Sequence, residues 1–193
     1  MVALAGVAAA VLSLIDPVPY IRDILRGMTR PHRGTWLIWS ALGAVAFASQ
    51  FADGATWSLG LVGAQSATTT LVLLLSLRFG IGGASVTDLC LIGLAGLGIV
   101  GWAISSEPVV ATVCVVMADM IGVLMMLPKT WYDPWSETAP TYVLASGSGL
   151  CGAIAVGGLN AGLLLYPAYY ALANGAIAAV ILRRRQSART AAA

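Results

Sequence analysis

The fold class this sequence predicts is an all-α integral membrane protein with seven transmembrane helices, and three observations predict it. The 193-residue chain is 59% hydrophobic and only 9% charged, with a mean hydropathy of +0.89, whereas a soluble domain is about a quarter charged. Its apolar residues fall into seven runs, at 2–18, 36–52, 57–77, 89–104, 109–127, 141–159 and 162–182. Each is at or near the roughly 20 residues that carry an α-helix across about 30 Å of hydrocarbon. All ten Lys and Arg follow the first, third, fifth or seventh run, which places every one on the same side of a seven-helix chain.

The first run opens the chain. A cleaved secretion signal carries positive charge ahead of its apolar core, and here nothing basic precedes Arg22, so the run is read as a retained span. It ends in Asp16, Pro17 and Pro19 and passes into a basic segment, 19–35, that holds Arg22, Arg26, Arg30 and Arg33. This segment reads as a short surface helix and turn. His32 sits among these arginines and is read as a solvated residue, not a catalyst. Arg78 closes the third run, Lys129 the fifth, and Arg183, Arg184, Arg185 and Arg189 the seventh. Because cytoplasmic loops are enriched in Lys and Arg, the N-terminus is expected outside and the C-terminus in the cytoplasm, with 186–193 a disordered tail.

Sliding the chain against itself by 103 residues gives a gapless match at distinctive positions. Asp16 meets Asp119, Arg26 meets Lys129, Pro31 meets Pro134, Thr35 meets Thr138 and Trp39 meets Tyr142. The same shift lays the first three runs on the last three and leaves the fourth unpaired. The expected organisation is therefore a first three-helix repeat at 1–83, a connector helix at 84–106 and a second three-helix repeat at 107–185. An odd connector restores the chain direction, so the repeats are parallel.

A 3+1+3 parallel repeat with the N-terminus outside and prolines in the first helix resembles the SWEET and PQ-loop superfamily, to which transporters of the nicotinamide riboside type and the KDEL receptor are structurally related. The Pro-Gln dipeptide of the PQ-loop group is absent, since Pro19 is followed by Tyr20 and Pro128 by Lys129. The segments PYIRDILRGMTRPHRGTW and DMIGVLMMLPKTWYDPWSET are also similar to a group of bacterial seven-helix membrane proteins without an assigned activity. The superfamily likeness implies a small-solute transporter, prolines that hinge the paired helices, and polar residues on the third helix of each repeat that contact substrate. The KDEL receptor likeness implies the alternative, a non-transporting receptor or scaffold.

Asp16 and Asp119 are the sharpest candidates. A carboxylate inside the bilayer costs about 2.5–3.5 kcal/mol on insertion scales and usually faces a bundle interior or watery cavity. Such a pair can bind a substrate amine or hydroxyls, or accept a proton. The competing reading has each Asp near the cytoplasmic end, paired with its own loop's cations. Pro17 and Pro19 remove backbone donors, which makes either a hinge or a plain helix end. They align with Met120 and Gly122, so a hinge in the second repeat falls to Gly122. Gln65 and Asn174 are expected to point inward, toward substrate or another helix, together with Tyr166. Trp39 and Tyr142 are read as cavity walls or as part of an interfacial aromatic belt with Trp36, Trp57, Trp131, Tyr132 and Trp135. Small residues at Ala145, Gly149, Ala153 and Gly157, and glycines at 93, 96 and 101, read as helix packing within one protomer or between copies in a homo-oligomer.

The functional expectation is a facilitator or proton-coupled carrier for a small solute, working by alternating access between the two repeats in a bacterial cytoplasmic membrane. Its partners are a small-molecule substrate and the lipid bilayer. The net charge of +2 records orientation and argues for no nucleic-acid partner. Cys90, Cys114 and Cys151 are too scattered for a metal or disulfide role. No cofactor is expected. An enzyme is disfavoured because no His lies in a span and no Ser or Cys there has an evident base partner. A retinal Schiff base would need a core lysine, and the single lysine is Lys129 at a helix end.

Overall fold

The computed structural model describes residues 1–52, 57–105 and 107–191, and among these the chain is all-helical. Eight α-helices follow in order: α1 (Val2–Ile15), α2 (Pro17–Leu25), α3 (Arg33–Ala52), α4 (Trp57–Phe79), α5 (Val86–Ile104), α6 (Pro108–Tyr132), α7 (Ala139–Ala155) and α8 (Ala161–Ala191), with a 3₁₀ turn at Pro134–Ser136. Among the described residues four helical stretches are long and apolar enough to cross a membrane: Val2–Leu25, Val86–Ile104, Thr112–Tyr132 and Leu163–Ala191. This is compatible with an α-helical, multi-pass membrane protein.

Local sequence explains the helix ends. Pro17 is the first residue of α2, where a missing N–H costs nothing, so the helical path resumes directly after Asp16 instead of stopping there. Ser85 and Asp88 form a capping box at the start of α5, with Ser85 Oγ accepting from Asp88 N at 3.0 Å and Asp88 Oδ2 accepting from Ser85 N at 3.2 Å. Asp88 Oδ2 also accepts from Gly83 N at 2.8 Å. The tail expected to be disordered from residue 186 is instead helical to Ala191. Arg, Gln and Ala are good helix formers, and α8, at about 45 Å, is longer than the roughly 30 Å of hydrocarbon in a membrane.

Packing divides the chain into two units, residues 1–30 with 126–193, and residues 31–125. In the first, α7 lies between α1 and α8. A Cβ on Gly149 would stand 2.6 Å from Ala171 N, so glycine is what lets α8 approach. Ser146 Oγ donates to Ala171 O at 2.8 Å and Ser148 Oγ to Ala9 O at 2.9 Å. The α7 small-residue stripe thus packs inside the protomer at Gly149. In the second unit α3 packs on α4 and α5, around a core of Ile38, Ala95, Ala118, Ile121 and Met125. Ser40 and Thr70 hydroxyls are 3.0 Å apart. The connector glycines differ from expectation, because a Cβ on Gly93 or Gly96 would meet nothing within 4 Å. They lie on open helix surface, and α5 buries only Ala95 fully.

His32 is the clearest departure from the sequence reading. It is 7% exposed, because it caps α3 instead of lying in solvent: Thr35 N donates to His32 Nδ1 at 3.4 Å, and Nε2 lies 3.7 Å from Asp88 Oδ1. Residues 31–33 and the segment just after α4 are tied by Ile81 N donating to Pro31 O and Arg33 N donating to Ile81 O, both at 2.9 Å.

Candidate functional site

Asp16 stands where α1 gives way to α2, inside the apolar stretch Val2–Leu25. Its Oδ2 is buried and has no hydrogen-bond partner among the described residues. The carboxylate therefore does not pair with the loop arginines: Arg22 binds Asp23, and Arg30 binds Asp133. Pro17 and Pro19 sit in the interior of a helical path that continues to Leu25, with Asp16 as the one residue between α1 and α2. Thr141, on the buried face of α7, carries a second buried oxygen without a partner among the described residues.

Below this break the same unit holds a dense polar cluster. Lys129 Nζ ion-pairs with Glu137 Oε1 and donates to Arg30 O. Glu137 Oε2 accepts from Tyr142 OH at 2.8 Å. The Tyr142 ring, 1% exposed, meets Tyr20 edge-on at 6.2 Å. Thr138 Oγ1 donates to Asp23 Oδ2 at 3.1 Å, which leaves Thr29 as donor to Thr138 at 2.6 Å. Arg185 donates to Pro134 O at 3.1 Å and Glu137 O at 2.6 Å. Its guanidinium lies 4.7 Å from the Trp135 ring, and that of Arg184 lies 4.7 Å from Trp131. These contacts fasten the end of α8 to the turn between α6 and α7. Both Glu137 oxygens find donors, the condition under which a buried ion pair is tolerated.

In the other unit Asp119 is half-buried on α6. Thr35 Oγ1 donates to Gly122 O at 2.7 Å. Trp39 packs edge-on against Trp36 at 5.1 Å, and its buried Nε1 has no partner among the described residues. A Cβ on Gly122 would stand 2.8 Å from that nitrogen, so Gly122 makes room for the indole.

The sequence candidates are therefore sorted unevenly. Asp16, Pro17, Pro19, Tyr142 and Asn174 share one unit, with Asn174 9% exposed and its Nδ2 donating to Tyr170 O at 2.9 Å. Tyr166, also in that unit, is 39% exposed and stacks on Tyr170. Asp119, Trp39, Gly122 and Gln65 belong to the other. Gln65 does not turn inward: it is exposed on α4, where its carbonyl accepts from Thr68 and Thr69. Trp57 lies outside the described side chains. Glu137, the centre of the polar cluster, was missed because a Glu beside Pro-Trp-Ser reads as loop; its place eight residues after the only lysine was the available signal.

No protein-family model, curated protein or solved structure matches the chain.

Proposed function

We propose that the protein is a small-solute membrane transporter, either a facilitator or a carrier coupled to a proton or another cation at Asp16, with its N-terminus outside and its C-terminus in the cytoplasm. The observation that carries this reading is the orphan carboxylate oxygen of Asp16 at a proline break inside an apolar span. Discontinuous helices with unsatisfied backbone groups are the usual material of transporter sites, and an intramembrane carboxylate without a structural partner is a functional feature by default.

The 3+1+3 repeat is part of the proposal, and equivalent contacts support it. Tyr142 packs on Tyr20 of the first span, and its counterpart Trp39 packs on Gly122 of the fifth. Pro134 O accepts from Arg185, and its counterpart Pro31 O accepts from Ile81. Each unit thus joins the first span of one repeat to the second and third spans of the other.

The test is a thermal-stability panel on purified protein in detergent, with sugars, amino acids, vitamins and nucleosides. A ligand at about 100 times its dissociation constant stabilises by about 2.7 kcal/mol, and that gain is expected to vanish in Asp16→Asn. A panel in which nothing stabilises the wild type, with no uptake into vesicles, would favour the receptor or scaffold alternative.

A further inference from the structure

Among the described residues, two buried side-chain oxygens without partners, Asp16 Oδ2 and Thr141 Oγ1, occur on helices that pack face to face. Ala9 O takes the Ser148 hydroxyl at 2.9 Å, and Tyr20 meets Tyr142 at 6.2 Å, so α1–α2 and α7 run antiparallel. Asp16 falls between Ala9 and Tyr20, and Thr141 adjoins Tyr142. Asp16 lies within the stretch bounded by these two contacts, and Thr141 lies one residue beyond its Tyr142 end.

This stretch has an excess of oxygen over hydrogen-bond donors, for a reason visible in the sequence. Prolines at 17 and 19 cannot donate to the carbonyls four residues earlier, those of Ser13 and Ile15. One carboxylate, two carbonyls deprived of their helical donors and one hydroxyl therefore share the region. Three basic side chains of this unit are taken by other carboxylates: Arg22 by Asp23, Arg30 by Asp133 and Lys129 by Glu137.

A set made of oxygens alone, with a single negative charge and apolar surroundings, suits a hard cation. Unwound carbonyls and the C-terminal ends of half-helices are where transporters hold coupling ions. One carboxylate balances one positive charge, whereas calcium sites gather six to eight oxygens, commonly with several carboxylates. We propose that Asp16, with Thr141 and the Ser13 and Ile15 carbonyls, binds a sodium ion. The role of that ion in coupling rests on the transporter reading; its binding does not. The site belongs to one repeat only. At the positions matching Pro17, Pro19 and Thr141, the other repeat has Met120, Gly122 and Ile38, so it has neither the two prolines nor the threonine hydroxyl.

The test measures the thermal unfolding midpoint of the full chain in detergent, at constant ionic strength, as sodium chloride replaces choline chloride at two pH values on either side of neutrality. A saturable upward shift is expected for the wild type and for Asp119→Asn, and none for Asp16→Asn. Thr141→Val is expected to raise the half-maximal sodium concentration about tenfold, the loss of one good oxygen ligand. Equal midpoints in the two salts, or a sodium effect that survives Asp16→Asn, overturn the proposal. So does a wild type that responds at Asp16 to pH and not to sodium, which makes the carboxylate a proton site. Should Asp16→Asn fail to fold, equilibrium dialysis of radioactive sodium against wild type and Thr141→Val decides: binding weakened by Thr141→Val supports the site, and no binding, or equal binding, overturns it. Sodium binding without uptake of any solute leaves this site standing and removes the transporter reading; uptake indifferent to sodium does the reverse.

Discussion

Glu137 and Lys129 form an ion pair shut away from solvent, the glutamate side chain 1% exposed and the lysine side chain 8%. Tyr142 closes the arrangement by donating to the second carboxylate oxygen at 2.8 Å. This triad lies between the turn that ends α6 and the first turns of α7, and its Tyr142 meets α2 at Tyr20.

Removing one partner of such a pair leaves an uncompensated buried charge. Glu137→Gln is expected to destabilise by about 3–5 kcal/mol, and the double change Glu137→Gln with Lys129→Met to recover most of the loss. Thermal unfolding in detergent reads both. Tyr142→Phe, which removes a donor and leaves the ion pair, is expected to cost about 1–3 kcal/mol.

Gly122 and Trp39 are matched in size. Gly122→Ala drives a methyl group to 2.8 Å from Trp39 Nε1 and is expected to cost about 1–3 kcal/mol. Adding Trp39→Phe, which withdraws the ring atom concerned, should restore stability. If Gly122 acts only as a hinge, the second substitution restores nothing.

Glycines on two helices separate packing from open surface. In Gly149→Ala the new methyl meets Ala171 N at 2.6 Å and Ala171 Cα at 2.8 Å, backbone that cannot rotate away, so a loss of about 3 kcal/mol is expected. Gly93→Ala meets nothing within 4 Å and gains helix propensity, for a stabilisation of up to about 1 kcal/mol. Paired melting curves in one detergent test the contrast.

The orientation has its own assay. With Cys90, Cys114 and Cys151 replaced by Ser, a cysteine at the exposed Arg189 should react with a membrane-impermeant maleimide only after cells are opened, and one at Met1 should react in intact cells. The opposite labelling inverts the topology.

Much of this architecture is written in the chain where one physical signal dominates. Apolar run lengths mark the helices, and the break at Asp16 is legible from Pro17 and Pro19. What escaped the sequence are residues whose environment comes from distant partners. His32 reads as solvated among arginines, yet it caps α3 and faces Asp88 because Gly82 and Gly83 adopt positive φ and bring the α4–α5 turn against it. Glu137 becomes a core residue only because Lys129 and Tyr142 converge on it. Gln65 reads as inward by its polarity but is exposed on α4, and neighbouring Thr68 and Thr69 hydroxyls bind the chain's own carbonyls there.

The central claim, that the Asp16 break serves solute movement, is tested most directly by uptake into proteoliposomes. Wild type, Asp16→Asn and Glu137→Gln/Lys129→Met would be reconstituted with equal amounts of folded protein and offered the labelled sugars, amino acids, vitamins and nucleosides. Saturable uptake of at least one solute is expected for wild type and for the folded double variant, and loss of at least tenfold for Asp16→Asn. Uptake that survives Asp16→Asn unchanged would contradict the account.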